Sequence, residues 1–281
     1  MKLHDSLLDV CDLKVGFRTS DGYVEAVKGV SLTLGRERLA IVGESGSGKS
    51  MTVRSLIGLA GHNAIVSARH ARFGETDLLS LSDRELSAVR GHRIAMVVQD
   101  PRQGLNPVQT AGRQVGEMLR MHRRTRRHDM RNAVEMLLDE VHIRDPRRVF
   151  DLYPHELSGG MAQRVMVAMM LAGGPDILIA DEATSALDAV VQRHILELID
   201  EQVRLRGMGL ILISHDLELV SDFADRIMVM YAGRTVETFA AGQGYGSVRH
   251  PYTRGLIACV PSLDRPGQCL PVLTRDPEWA R

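Results

Sequence analysis

Apolar and polar positions divide this chain into two regimes. Between residues 8 and 43, β-favouring stretches are separated by turn residues: LLDVCDLKVGF, then Asp21-Gly22, then VEAVKGVSLTL, then RLAIVG. The alternation predicts a β-rich opening that leads into one buried strand. Helical spacing then takes over at residues 49–59, 83–90, 112–122, 131–141 and 161–172, interrupted by a strand, RIAMVVQ, at 93–99. The interval of about 101–157 thus reads as a mainly helical, inserted lobe. A strict alternation follows: strand 177–181, helix 189–205, strand 209–214, helix 216–224 and strand 226–232. Continuous apolar strands separated by helices predict a parallel sheet covered on both faces. Beyond residue 242 the chain turns Gly- and Pro-rich, with one short helical pattern at 252–259. No internal repeat and no low-complexity tract interrupts this order.

Composition narrows the class without naming it. A chain of 281 residues with 44% hydrophobic and 25% charged positions is ordinary globular protein, which excludes disordered, collagen-like and disulfide-scaffold classes. Basic and acidic residues number 35 each, so no global field draws the molecule to nucleic acid, and no nucleic-acid partner is expected. Three scattered cysteines, Cys11, Cys259 and Cys269, suit a reducing compartment. The first residues carry no basic segment followed by an apolar core, and no run of 18 apolar residues occurs, so a cytosolic protein is expected.

Against that background GESGSGKS, residues 43–50, stands out. It fits G-x-x-x-x-G-K-S and sits after a buried strand and before a helix, where its mechanism requires it. Backbone N–H groups of such a loop point at phosphate oxygens, glycines allow close approach, and the helix N-terminus adds a favourable dipole. Lys49 would neutralise the β- and γ-phosphates and the Ser50 hydroxyl would bind Mg²⁺. The candidate nucleotide contacts here are Gly43, Ser45, Gly46, Gly48, Lys49, Ser50 and Met51. Only four of the 35 basic residues are lysines, yet one stands between Gly48 and Ser50. A compact ammonium enters a phosphate cradle that a broad guanidinium fork would not fit. The blander reading is a glycine-rich turn that caps a helix.

A second acidic element ends the strand ILIADE: Asp181 and Glu182. Carboxylates at strand ends over a parallel sheet point into the crevice where ligands bind. Asp181 would hold the metal's water shell, and Glu182 would orient and deprotonate an attacking water. Many strands end in a solvated acid, so the pair takes its meaning from the phosphate loop.

Between these elements lies HELSGGMAQRVMVAMML, beginning at His155. LSGG opening a helix resembles the signature motif of the ATP-binding cassette (ABC) family, and the resemblance covers about residues 8–263. Further family elements follow in order: Gln99 as the Q-loop residue, SALD at 185–188 as the D-loop, and His215 in LISHD as the switch histidine. Phe17 resembles the aromatic on which adenine stacks, with Tyr23 as a competing candidate. The resemblance implies an α/β fold: a P-loop NTPase, RecA-like core with a mainly parallel sheet, an antiparallel β subdomain and an inserted helical subdomain. It divides the chain at 1–100, 101–165, 166–241 and 242–281. It implies ATP hydrolysis with Mg²⁺ held by Ser50, Gln99 and Asp181, and with Glu182, His215 and Gln99 as catalytic residues. Ser158, Gly159 and Gly160 precede a helix and so form a second anion-binding end. In the family that end meets the γ-phosphate on another subunit, in a head-to-tail dimer. Two departures are Met161, where Gln is usual, and Ala183, where Pro is usual.

The continuation QDPRQGLNPVQT, residues 99–110, and the tail HPYTRGLIACVPSLD, residues 250–264, resemble the peptide and nickel import ATPases of bacteria. That branch implies a peripheral protein on the cytoplasmic face of the cell membrane. Its partners are two transmembrane permease subunits, a second ABC ATPase that is identical or a paralogue, and, indirectly, an extracytoplasmic solute-binding protein. Longer members hold an iron–sulfur cluster in a cysteine-rich tail. With only Cys259 and Cys269 here, no cluster is expected. The basic run at 120–131 reads as a solvated helix end, or as a patch toward anionic headgroups or an acidic permease loop. Met166 to Met170 read as core. Beside di- or oligopeptide import stand nickel import, a soluble cassette acting on chromosomes or ribosomes, and an assembly subunit with a structural nucleotide site. The solute itself is not written in these residues.

Overall fold

The computed structural model describes residues 6–20, 22–123, 125–126, 128–185, 187–259, 276 and 279, and of Arg102, Gln103 and Gln243 the backbone alone. Ala186 of the SALD segment, Cys269 and the residues VPSLD of the tail lie outside the described residues. In chain order the elements are β1 (Leu8–Thr19), β2 (Gly22–Leu34), β3 (Arg38–Val42), α1 (Lys49–Leu56), β4 (Ala64–Ser67), β5 (His70–Phe73), β6 (Thr76–Asp77), α2 (Asp83–Val89) and β7 (Ile94–Val97). There follow α3 (Pro101–Gly104), α4 (Ala111–Arg123), α5 (Met130–Glu140), α6 (Pro146–Phe150), α7 (Gly159–Ala172), β8 (Ile177–Asp181) and α8 (Ala189–Arg206). The chain then forms β9 (Gly209–Ser214), α9 (Leu217–Ser221), β10 (Arg226–Tyr231), β11 (Arg234–Ala240) and α10 (Pro251–Ala258).

Two compact units divide these elements: Met1–Leu86 with Ile211–Arg281, and Ser87–Leu210. In the first unit an antiparallel sheet has the order β2-β1-β5-β6, with β4 also paired to β1. A second set of strands runs β11-β10-β3-β9, parallel between β10 and β3 and antiparallel between β10 and β11. Leu13, Val15, Val27, Val30, Leu39, Ile41 and Val229 are fully or almost fully buried there. β3 is five residues long with four of them buried, as a continuous apolar strand requires when it is covered on both faces.

In the second unit β7 pairs β8 in parallel. Helices α4, α5 and α7 bury Val115, Leu119, Val134, Leu138, Met166 and Leu171. Met166 accordingly packs as core, whereas Met169 and Met170 are half-buried. Asp145 caps α6 by accepting from the Arg148 N–H at 3.1 Å, with Pro146 at the first helical position.

The elements depart from the sequence expectations in a few places. The first helix stops at Leu56 rather than 59, because Gly58 takes φ 68° and turns the chain out of the helix. β4, β5, β6, β11, α3 and α6 were not expected. The helix expected at 216–224 spans Leu217–Ser221, capped by Asp216. Among the described residues no helix is long and apolar enough to cross a membrane.

Candidate functional site

β3 delivers its carboxyl end straight into the loop at residues 43–50, and α1 leaves it. Glycine is dictated at two of its positions. A Cβ on Gly43 would lie 2.2 Å from the Met230 carbonyl oxygen, and one on Gly48, at φ 98°, would lie 2.6 Å from that of Ala26. The loop is thereby pressed against β10 and β2, and nothing bulkier fits. Gly48 is the N-cap of α1 and supplies no side-chain cap, and the first turn contains no acidic residue. The opening amides of α1 therefore receive no oxygen from a capping side chain, which is the arrangement that welcomes an anion.

Lys49 is 4% exposed, and its ammonium donates to the carbonyl oxygens of Gly43 at 2.7 Å and Glu44 at 2.8 Å. Ser47 is buried and its hydroxyl has no hydrogen-bond partner. An orphaned buried hydroxyl beside a buried ammonium fits an anionic ligand such as a polyphosphate. Ser45 and Gly46 are exposed, and Ser50 and Met51 half-buried. Phe17 on β1 is half-buried and pairs with Val24 of β2 and Ala64 of β4. The Tyr23 phenol lies across Gly16, whose Cβ would come within 2.2 Å of its hydroxyl oxygen.

His215 is exposed and immediately follows β9. The residue that caps α9 is its neighbour Asp216, which accepts from the Leu219 N–H at 3.0 Å, so the histidine is not the cap. With Val42, Leu217, Leu256 and Cys259 it lines a cavity of about 270 Å³. One contact was not legible in the sequence. The Glu44 N–H, inside the phosphate loop, donates at 3.0 Å to the hydroxyl of Tyr252, a fully buried residue of α10. HPYT carried a signal only for a branch of the family, and 208 residues separate the two partners.

In the second unit Gln99 is exposed, two residues beyond β7. Asp181 ends β8 and is 1% exposed, and Glu182 follows it at φ 49°. Left-handed backbone at a residue with a Cβ costs free energy and clusters at functional sites. The turn is closed by the Ser185 N–H and hydroxyl, each donating to the Glu182 carbonyl at 3.1 Å. Ser158 is exposed and caps α7 by accepting from the Met161 N–H at 3.3 Å. Gly159 and Gly160 leave room for Leu187 and Val191, the latter 2.9 Å from where a Cβ on Gly160 would stand. Within α7, burial holds the Arg164 guanidinium below the usual arginine range while it donates to the Val141 carbonyl at 2.8 Å.

A phosphate-type loop on a strand-to-helix turn, with a buried lysine and a partnerless buried hydroxyl, defines a P-loop nucleotide-binding protein. The ABC transporter family profile matches residues 27–185, and the chain belongs to that family. A Brucella melitensis protein with peptide import in its name is 48% identical over 268 residues, covering 95% of this chain and 81% of its own length. The oligopeptide transport ATP-binding protein OppD of Escherichia coli is 42% identical over 274 residues, covering 97% and 81%. Among solved structures, the dimeric post-hydrolysis state of the ATP-binding cassette MJ0796 bound to ADP and Pi superposes with a TM-score of 0.74 at 25% identity, covering 83% of this chain and 98% of its own.

Proposed function

We propose that this chain is the ATP-hydrolysing subunit of a bacterial ABC importer that takes up di- or oligopeptides through a membrane permease. The observation that carries the nucleotide reading is the loop at 43–50, with its buried Lys49 ammonium and partnerless Ser47 hydroxyl. The peptide class is supported by relatives that are 42–48% identical over nearly the whole chain and carry peptide transport in their names.

In this reading the loop amides and Lys49 hold the β- and γ-phosphates, and Phe17 stacks on adenine. Ser50, Gln99 and Asp181 would hold magnesium, which would supply positive charge to the phosphates. The Glu182 carboxylate accepts a proton from the attacking water, and His215 donates a hydrogen bond to the γ-phosphate. Ser158, Gly159 and Gly160 close the site of a second ATPase subunit, head to tail. Two permease subunits and an extracytoplasmic solute-binding protein complete the transporter, and the chain sits on the cytoplasmic membrane face. Residues 1–100 and 166–241 supply the nucleotide-binding core, 101–165 the helical signature subdomain and 242–281 an extension of the importer type.

The test is ATP turnover by the chain co-purified with its permease and companion ATPase, with and without peptide-loaded binding protein. Turnover stimulated by peptide is the expected result. Absence of adenine-nucleotide binding would overturn the whole reading, whereas ATP turnover indifferent to every peptide would overturn the substrate class alone.

A further inference from the structure

The C-terminal helix reaches the phosphate loop. Tyr252, in the first turn of α10, is 0% exposed, and its hydroxyl accepts the Glu44 N–H at 3.0 Å. Its ring packs on Tyr231, at the end of β10, with centroids 4.5 Å apart, and on Trp279 at 5.9 Å. The helix start is itself tied down. The Glu237 carboxylate of β11 accepts the Arg249 N–H at 2.7 Å and the His250 N–H at 3.2 Å, and His250 Nδ1 accepts the Tyr252 N–H at 3.2 Å. The phenol therefore presents its oxygen from a fixed direction and loses little further freedom in making the bond.

The peptide unit of Glu44 shows why that matters. Its carbonyl accepts from the Lys49 ammonium at 2.8 Å. A triphosphate in the loop competes for that same ammonium, as a charged acceptor outbids a neutral carbonyl. The bond on the amide side does not involve Lys49 and survives the exchange. Resting on the nucleotide reading above, we propose that Tyr252 is a positioning residue for ATP binding: its hydroxyl anchors the Glu44 amide, so that the loop keeps its phosphate-cradling conformation when Lys49 turns to the ligand.

Preorganisation of this kind acts on affinity. Tyr252→Phe removes one oxygen and leaves the ring on Tyr231. In the 281-residue chain, titrated with a fluorescent ATP analogue and with unlabelled ATP in competition, Y252F is expected to bind about threefold to tenfold more weakly, the worth of one buried hydrogen bond. In the assembled transporter the loss should fall on KM for ATP, with kcat within about twofold of wild type. Tyr231→Phe, which removes a neighbouring phenol oxygen from the same ring cluster, serves as control and should leave the affinity unchanged.

Hydrogen exchange in the nucleotide-free chain reads the anchor directly. Peptides covering 43–50 should exchange faster in Y252F, with peptides from α7 unchanged. Nucleotide affinity and loop exchange in Y252F equal to wild type would overturn the inference while leaving the nucleotide reading intact. A wild-type chain that binds no ATP would overturn the nucleotide reading and this one with it. A variant with kcat reduced and KM unchanged would also overturn it, because positioning for binding predicts the opposite split.

Discussion

The ammonium of Lys49 donates to the carbonyl oxygen of Gly43 at 2.7 Å, across the turn that the two residues bracket. The loop thus holds its cation by its own backbone, against a strand whose Met230 carbonyl leaves Gly43 no space for a side chain. Replacing Lys49 with Ala should weaken ATP binding by at least about tenfold, since one hydrogen bond to a charged group is worth about 1.5–3 kcal/mol. Lys49→Arg should not restore it, because the guanidinium is too broad for a loop in which the lysine it replaces is only 4% exposed. Equilibrium titration with ATP checks both variants. Wild-type affinity in either would remove Lys49 from the phosphate site.

Glu182 occupies left-handed backbone directly after a buried aspartate, a conformation that needs the surrounding turn to hold it. If its carboxylate is the general base, Glu182→Gln should lower ATP turnover by about 100-fold or more while ATP still raises the melting temperature of the chain. Single-turnover hydrolysis in the assembled complex is the measurement. Near wild-type turnover in E182Q would assign the proton to another group.

Arg38 and Asp225 join the starts of β3 and β10. One carboxylate oxygen of Asp225 accepts the Arg38 backbone N–H at 2.8 Å and its Nε–H at 3.0 Å, and the other accepts from Nη2. A two-pronged, charge-assisted contact that also satisfies backbone is worth more than an ordinary surface pair. Asp225→Ala should cost about 1–2 kcal/mol of stability, read from the urea midpoint, with ATP affinity unchanged. A midpoint equal to wild type would show that solvent replaces the contact at no cost.

How far the sequence could be read depended on whether a feature is local. β8 and β9 were legible because five and six consecutive buried residues leave no other reading, and α7 because an apolar run follows the Ser158 cap. β4, β5 and β6 were not, being four, four and two residues long with exposed positions interspersed. β4 and β5 pair with β1, far back in the chain, and the two residues of β6 pair with β5, so their own residues carry little β signal. SLIGLA continues the apolar period past Leu56, so the sequence predicts a longer first helix than the one that only the backbone of Gly58 ends. Within the site, the loop was legible because its glycines and lysine act on the loop itself. The partnerless Ser47 hydroxyl and the Tyr252 bond were not, since both depend on what tertiary packing brings against the loop or keeps from it.

His122, in the last turn of α4, stacks on His92 with ring centroids 5.9 Å apart and planes 3° from parallel. Burial, and then the proximity of His92, hold its pKa below the ordinary histidine value. The folded state therefore binds a proton less readily than the unfolded chain. Stability contributed by the neutral ring is complete above the unfolded pKa, about 6.5, and declines as pH falls from there toward the depressed folded value. His122→Gln cannot gain that proton, so the melting temperature of the variant should fall less than that of wild type between about pH 7 and pH 5.5. Parallel melting curves of the two proteins across that window are the check. An equal acid slope would mean that the His92 and His122 rings separate on protonation without cost to the fold.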